Sequence, residues 1–236
     1  MIAVRETTAP SIVVPLVAGA AAVGGLIYLR HQRQGDVRRE LHRSGHDVTT
    51  ALSLPPGRWV WPLPRWQGRA PVISDGWGSP RETETRGTGG AHRGVDLMYR
   101  RRSLRELTDV FPPAAPHSLW HFMPPGTLVL AAADGEVWSA GDTPRGQSIV
   151  LSHGAPWATY YTHMLLLHVA PSRRGSSTQR VRAGQPLGVV GADAKDKHGI
   201  GHLHFEIWFG GNGAAAIDPA PLLTRFAVLD GPGAAS

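Results

Sequence analysis

Not one of the 236 residues is a cysteine. Disulfides and thiolate metal sites are therefore excluded, and any metal must be held by histidines and carboxylates. Charge is also scarce, at 18% of residues, and acidic side chains (18) are fewer than basic ones (24). After residue 60 no long amphipathic helical pattern appears. Low charge with 29 glycines and 20 prolines suits a β-rich fold with many turns, and a 42% hydrophobic content is enough for a core. The net charge of +6, nearly all of it arginine, attracts polyanions, nucleic acid and anionic cell-envelope polymers alike. No helix-turn-helix, RRM or zinc-finger pattern is present, and the arginines cluster in two segments rather than along one element. That pattern argues against a nucleic-acid partner. What the chain does have is twelve histidines.

Residues 11–29, SIVVPLVAGAAAVGGLIYL, run without a charge, close to the length that crosses a bilayer. Ala20/Gly24 and Ala21/Gly25 carry the small-xxx-small spacing of close helix pairs. Residues 1–30 are thus expected to form an N-terminal apolar helix, a membrane anchor or a helix buried in a protein assembly. An Arg-rich linker, 31–56, follows. From about Trp59 short apolar runs alternate with turn signals, and a mainly antiparallel β domain is expected over 57–226. Asp134-Gly135 between apolar runs signals a hairpin. Residues 227–236 read as a loose tail.

Four segments carry candidate ligands. In AHRGVDL, His92 and Asp96 lie at i and i+4 and share a face if extended. In HLHFE, His202, His204 and Glu206 share one strand face, while Leu203, Phe205 and Ile207 take the other and read as core. A catalytic zinc site has three protein ligands and one open position, which His92, Asp96 and one of the pair His202/His204 would satisfy. In YYTHM, Tyr161 and His163 are again i, i+2 neighbours, and His163 would be a further histidine near the metal. His153 in SHGAP reads as structural, and His198 as a bystander.

These segments and the sequence between them resemble the lysostaphin-type zinc endopeptidases of bacterial peptidoglycan. The resemblance runs from about Trp61 to Leu223 and is carried, in order, by WPLP…APVISDGWGSPR, HRGVDL, GTLVLAAADGEVWSAG, SIVLSHGAPWATYYTHM, VRAGQPLGVVG and GHLHFEIW. It implies a duplicated hybrid motif fold, an antiparallel β-sheet sandwich or groove. It implies one Zn²⁺ held by His92, Asp96 and His204, with His163 and His202 as catalytic histidines and peptidoglycan stem peptides as substrate. Tyr161 would help orient the intermediate and Glu206 would support a ligand from behind. The alternative within the same family is an inactive member that regulates a cell-wall amidase or serves as a structural part of an envelope or phage-tail-like assembly.

The chain departs from the family pattern at residues 97–125, where an insertion rich in arginine and aromatics separates HRGVDL from GTLVL. Members split Gly–Gly bridges or direct cross-links between D-Ala and a diamino acid; the Arg-rich, Cys-free chain points towards direct cross-links. Location carries a conflict. Arg30, Arg33, Arg38, Arg39 and Arg43 follow the apolar segment, which by the positive-inside rule keeps residues 30–236 in the cytoplasm. Peptidoglycan lies outside. Either the domain is extracytoplasmic on an inner-membrane anchor, or the chain belongs to a virion or injection particle.

Overall fold

The structure, a computed structural model, describes residues 54–79, 91–106, 119–192, 200–213 and 215–231. The chain divides into two units, Met1–Val48 and Thr49–Ser236, and every described residue lies in the second. The expected apolar helix, most of the Arg-rich linker, His198 and the middle of the insertion lie outside the described residues. Among the described residues no helix is long and apolar enough to cross a membrane.

The described unit is mainly antiparallel β, with one short helix, α1 (Ala220–Leu223). The strands are β1 (Pro71–Asp75), β2 (Val95–Arg100), β3 (His121–Phe122), β4 (Leu128–Leu130), β5 (Gly135–Thr143) and β6 (Gly146–Ser152). They continue as β7 (Trp157–Leu167), β8 (Arg180–Val181), β9 (Pro186–Val190), β10 (Leu203–Phe209) and β11 (Ala215–Ile217). The central path runs β1-β2-β10-β7-β6-β5-β8, with β9 joining β7 to β4.

β10 sits between β2 and β7, and its alternation sets up the site. Leu203, Phe205 and Ile207 are fully buried on one face, each worth about 1.5–3 kcal/mol of apolar burial. His204 and Glu206 occupy the other face, also buried but polar. Register then matters, because a one-residue slip would exchange the two faces. His204 stands opposite Asp96 of β2 and opposite Thr162 of β7.

Two sequence expectations change here. Asp134-Gly135 does not close a hairpin: β4 pairs with β9 and β5 with β6. The buried Ala131–Ala133 stretch spends its backbone groups on distant partners instead, among them Gln185 O, Tyr161 Oη and the Val60 amide. Gly135 is glycine because of close approach, since a Cβ there would lie 2.7 Å from Ser152 O and 2.8 Å from His153 Nδ1. The two-residue hairpin is at Pro144-Arg145, between β5 and β6, where Thr143 pairs with Gly146.

The second change is in β7. Between Ile149 and Gln147 of β6 the partners on β7 step from Tyr161 to Met164, so β7 carries an extra residue. His163 sits at this bulge with φ +65°, a left-handed conformation that costs a non-glycine residue about 1–3 kcal/mol. The kink breaks the strict alternation that had grouped Tyr161 with His163. The insertion's two ends are also ordered strand: Tyr99 and Arg100 of β2 pair with Phe122 and His121 of β3. Arg69 anchors it further by binding both carboxylate oxygens of Glu106, at 2.8 and 2.9 Å.

Candidate metal centre and catalytic groove

Three donor atoms converge from two strands and the loop before them. His92 Nε2 lies 3.1 Å from Asp96 Oδ1, His204 Nδ1 lies 3.0 Å from the same oxygen, and the two nitrogens are 2.8 Å apart. Asp96 and His204 meet because they are cross-strand partners. His92 is placed by the chain before β2, where its amide donates to Ser79 O and its carbonyl accepts from Gly78 N. Gly94 lets this loop lie on β10. A Cβ there would run into Phe205 O and would stand 2.9 Å from Glu206 Cγ and 3.0 Å from His204 Nε2.

The outer nitrogens fix the tautomers. His92 Nδ1 lies 2.8 Å from Gly76 O, and His204 Nε2 lies 3.0 Å from Glu206 Oε1. In the tautomer where each acceptor takes that ring's N–H, His92 Nε2 and His204 Nδ1 present lone pairs available to a metal; without a metal, hydrogen bonds from these nitrogens to Asp96 require a proton on them. Glu206 is held in turn by the Trp208 indole N–H at 2.5 Å.

This donor set asks for a cation. His92, Asp96, His204 and Glu206 are all buried. Burial pushes the Asp96 carboxyl up, but hydrogen bonds to His204 and His92 outweigh it and hold the group well below the usual carboxylate range. Burial pulls the His204 imidazole down, yet Asp96 and Glu206 outweigh it and push it up. With two ionised carboxylates around it, the centre stabilises one positive charge, either a proton or a metal ion. Two imidazoles and a carboxylate, with donor atoms all within 4.8 Å of one another, suit Zn²⁺ in the manner of a site with one open corner.

Two further histidines stand beside the three donors. The His202 and His163 rings are 4.6 Å apart, and His202 Nε2 is 3.9 Å from Asp96 Oδ1. His202 Nδ1–H donates to Ile200 O at 2.8 Å and His163 Nδ1–H to Arg145 O at 3.0 Å. Both rings are therefore anchored through Nδ1 to a backbone carbonyl. Of the two histidines in HLHFE, His204 joins the donor cluster and His202 flanks it. His153 lies elsewhere, bound to Asp134 O and Thr159 Oγ1.

Tyr161 is not at the site, and the expectation that it orients an intermediate is corrected. It pairs with Phe205 on the core face and is fully buried, and its hydroxyl accepts from the Ala132 amide at 2.9 Å. Its neighbour Tyr160 faces the site, opposite Glu206, with its ring stacked on Trp208 at 5.5 Å. Tyr160, Trp208 and the Gly76 carbonyl are contributors that the sequence reading missed. Trp208 was within reach, since it continues the His204, Glu206 alternation by one more step. These side chains, with Trp138 and Arg93, line a groove of about 880 Å³ alongside His92 and His204.

A sequence profile described as Peptidase family M23 matches residues 117–219. His163, His202 and His204 fall inside that span; His92 and Asp96 precede it and reach the site through the pairing of β2 with β10. The cell division protein DipM of Caulobacter vibrioides is 35% identical over 109 residues, 43% of this chain. The match spans 16% of that relative's length. Among solved structures, the catalytic domain of the antimicrobial peptidase lysostaphin from Staphylococcus simulans is 25% identical. That likeness covers 66% of this chain and 92% of that one, with a TM-score of 0.45. A zinc-containing peptidase from Vibrio cholerae is 22% identical over 69% of this chain and 39% of that one, also at 0.45. Over residues 117–219, which include His163, His202 and His204, the chain is thus similar to Peptidase family M23.

Proposed function

We propose that this protein is a zinc-dependent endopeptidase that hydrolyses peptide cross-links of bacterial peptidoglycan. The observation that carries the proposal is the convergence of His92 Nε2, Asp96 Oδ1 and His204 Nδ1 beside two further histidines, each anchored through Nδ1 to a backbone carbonyl. His92, Asp96 and His204 would hold the ion. When bound there, zinc supplies Lewis acidity, polarising a carbonyl and acidifying water.

The chain's own residues do the rest. His202 Nε2, 3.9 Å from Asp96 Oδ1, accepts a proton from the attacking water and returns it to the leaving amine. His163, fixed through Nδ1 on the Arg145 carbonyl, offers its ring edge to charge that develops on the scissile carbonyl oxygen. That hydrogen bond, at a residue whose backbone lies at φ +65°, orients the ring before substrate arrives. Tyr160, Trp138 and Trp208 give the groove flat walls for a peptide chain.

The complete donor set supports the enzyme over an inactive regulator, because a binding module has no need of two additional poised imidazoles. An extracytoplasmic location follows from the substrate, with residues 11–29 as the anchor or as a contact within a larger assembly. The test combines metal analysis of the purified protein with incubation on purified cell-wall sacculi. The proposal expects about one zinc per chain and soluble muropeptides bearing new amino termini. Zinc binding without new amino termini would leave only the regulatory or structural reading.

A further inference from the structure

We propose that the groove selects peptides carrying free carboxylates, with Arg93, Arg145, Arg173 and Arg174 as the groups that read them. This rests on the endopeptidase reading and narrows its substrate class to acidic, directly cross-linked stems rather than neutral glycine bridges.

Four arginines and two carboxylates line the groove. Both carboxylates are engaged: Asp142 accepts from Gln147 Nε2, and Glu206 accepts from His204 and Trp208. Among the described residues no carboxylate stands within ion-pairing distance of any of the four arginines. Arg93 interacts electrostatically with Glu206, but four arginines against two carboxylates still leave the groove with net positive charge, which attracts anions and steers their approach.

The arginines are also placed on fixed backbone. Arg93 directly follows the ligand His92. Arg145 occupies the β5–β6 turn, and its carbonyl holds His163 at 3.0 Å. The loop bearing Arg173 and Arg174 is tied to β5 by paired bonds between Ser172 and Ala140, at 2.8 and 3.1 Å, and by Gly175 N to Trp138 O at 2.7 Å. The Arg174 guanidinium lies over the Trp138 ring at 5.7 Å, which braces it while leaving its donors for a ligand. A guanidinium fork matches a carboxylate with two parallel hydrogen bonds, a match that an amide or a glycine methylene cannot make.

Two synthetic cross-linked stem-peptide dimers test this. They share one connectivity, and the free carboxyls of one are amidated in the other. Hydrolysis is followed with the zinc-loaded full chain, and binding by calorimetry with zinc-loaded His202→Ala, so that turnover does not intrude. The acidic dimer is expected to bind and react better by about ten-fold or more, the return of one charge-assisted pair. In the double variant Arg173→Gln/Arg174→Gln the ratio should fall towards one, with an unchanged Tm because both positions are exposed. Equal binding and equal hydrolysis of the two dimers would overturn the inference and leave the endopeptidase standing. Preferential binding with no hydrolysis of either would leave the inference and overturn the endopeptidase. Failure of both dimers to bind or react would overturn both. Inorganic phosphate and a short single-stranded oligonucleotide serve as anion controls; if either binds as tightly as the acidic dimer, the groove is a general anion surface and the inference falls.

Discussion

His204 divides its ring nitrogens between two buried carboxylates, Nδ1 at 3.0 Å from Asp96 and Nε2 at 3.0 Å from Glu206. The first contact faces the metal position and the second decides which nitrogen is free to do so. Glu206 accepts on both oxygens, from His204 on one and Trp208 on the other. Glu206→Gln keeps the shape but supplies only one acceptor, turning an N–H towards one of two donors. Zinc affinity should fall by about 10–100-fold, the usual effect of losing such a support. Competition against a chelator of known affinity reads this directly. Unchanged affinity would mean that Glu206 does not set the tautomer.

The two histidines of HLHFE should separate cleanly. His204→Ala removes a donor and should abolish stoichiometric zinc binding together with hydrolysis. His202→Ala leaves the three donors in place, so zinc content should stay near that of the parent. Its turnover should drop by about 10²–10⁴-fold, the contribution of a positioned acid–base group. Equal metal loss in both variants would contradict the geometry, in which His202 Nε2 stands 3.9 Å from Asp96 Oδ1 while His204 Nδ1 stands at 3.0 Å.

Tyr161 gives a third test, one that distinguishes structure from sequence expectation. Its hydroxyl satisfies the buried Ala132 amide and is linked to Thr159 at 3.0 Å. Tyr161→Phe should destabilise the fold by about 1–3 kcal/mol, the cost of leaving a buried donor unpaired. Chemical denaturation measures that loss, while kcat/KM at saturating zinc should stay unchanged. A large fall in kcat with intact stability would return Tyr161 to the catalytic machinery.

That residue also shows where sequence reading stops. Alternation along β10 was legible, because Leu203, Phe205 and Ile207 are apolar and the residues between them are polar. Pairing of Asp96 with His204 was reachable only through resemblance, since 108 positions separate them and nothing local encodes the register. The same alternation rule failed at β7, where the bulge at His163 shifts the strand by one residue and moves Tyr160, not Tyr161, onto the site face. No composition signal announces that bulge, which is set by how β6, β9 and β10 pair with β7. Asp134-Gly135 failed for a similar reason: the dipeptide is a turn signal locally, but close packing on Ser152 and His153, not a turn, accounts for that glycine.

His153 supplies a prediction for pH. Its ring is wedged against Trp59 at 5.1 Å, with Nδ1 2.7 Å from Asp134 O and Nε2 2.7 Å from Thr159 Oγ1. Burial pulls the imidazole below its ordinary value of 6.5, and the raising effect of Asp134 does not restore it. The unfolded chain therefore takes up a proton at this position before the folded chain does. Stability from this group is complete above about pH 6.5 and declines as the pH falls from there through the folded value. Metal affinity also weakens in acid, so the comparison must cancel it. Unfolding free energies of the parent and of His153→Gln, both at saturating zinc, should converge as the pH is lowered from 8 to 5, because only the parent carries this titration. Parallel curves for the two proteins across that interval would show that His153 has the same proton affinity folded and unfolded.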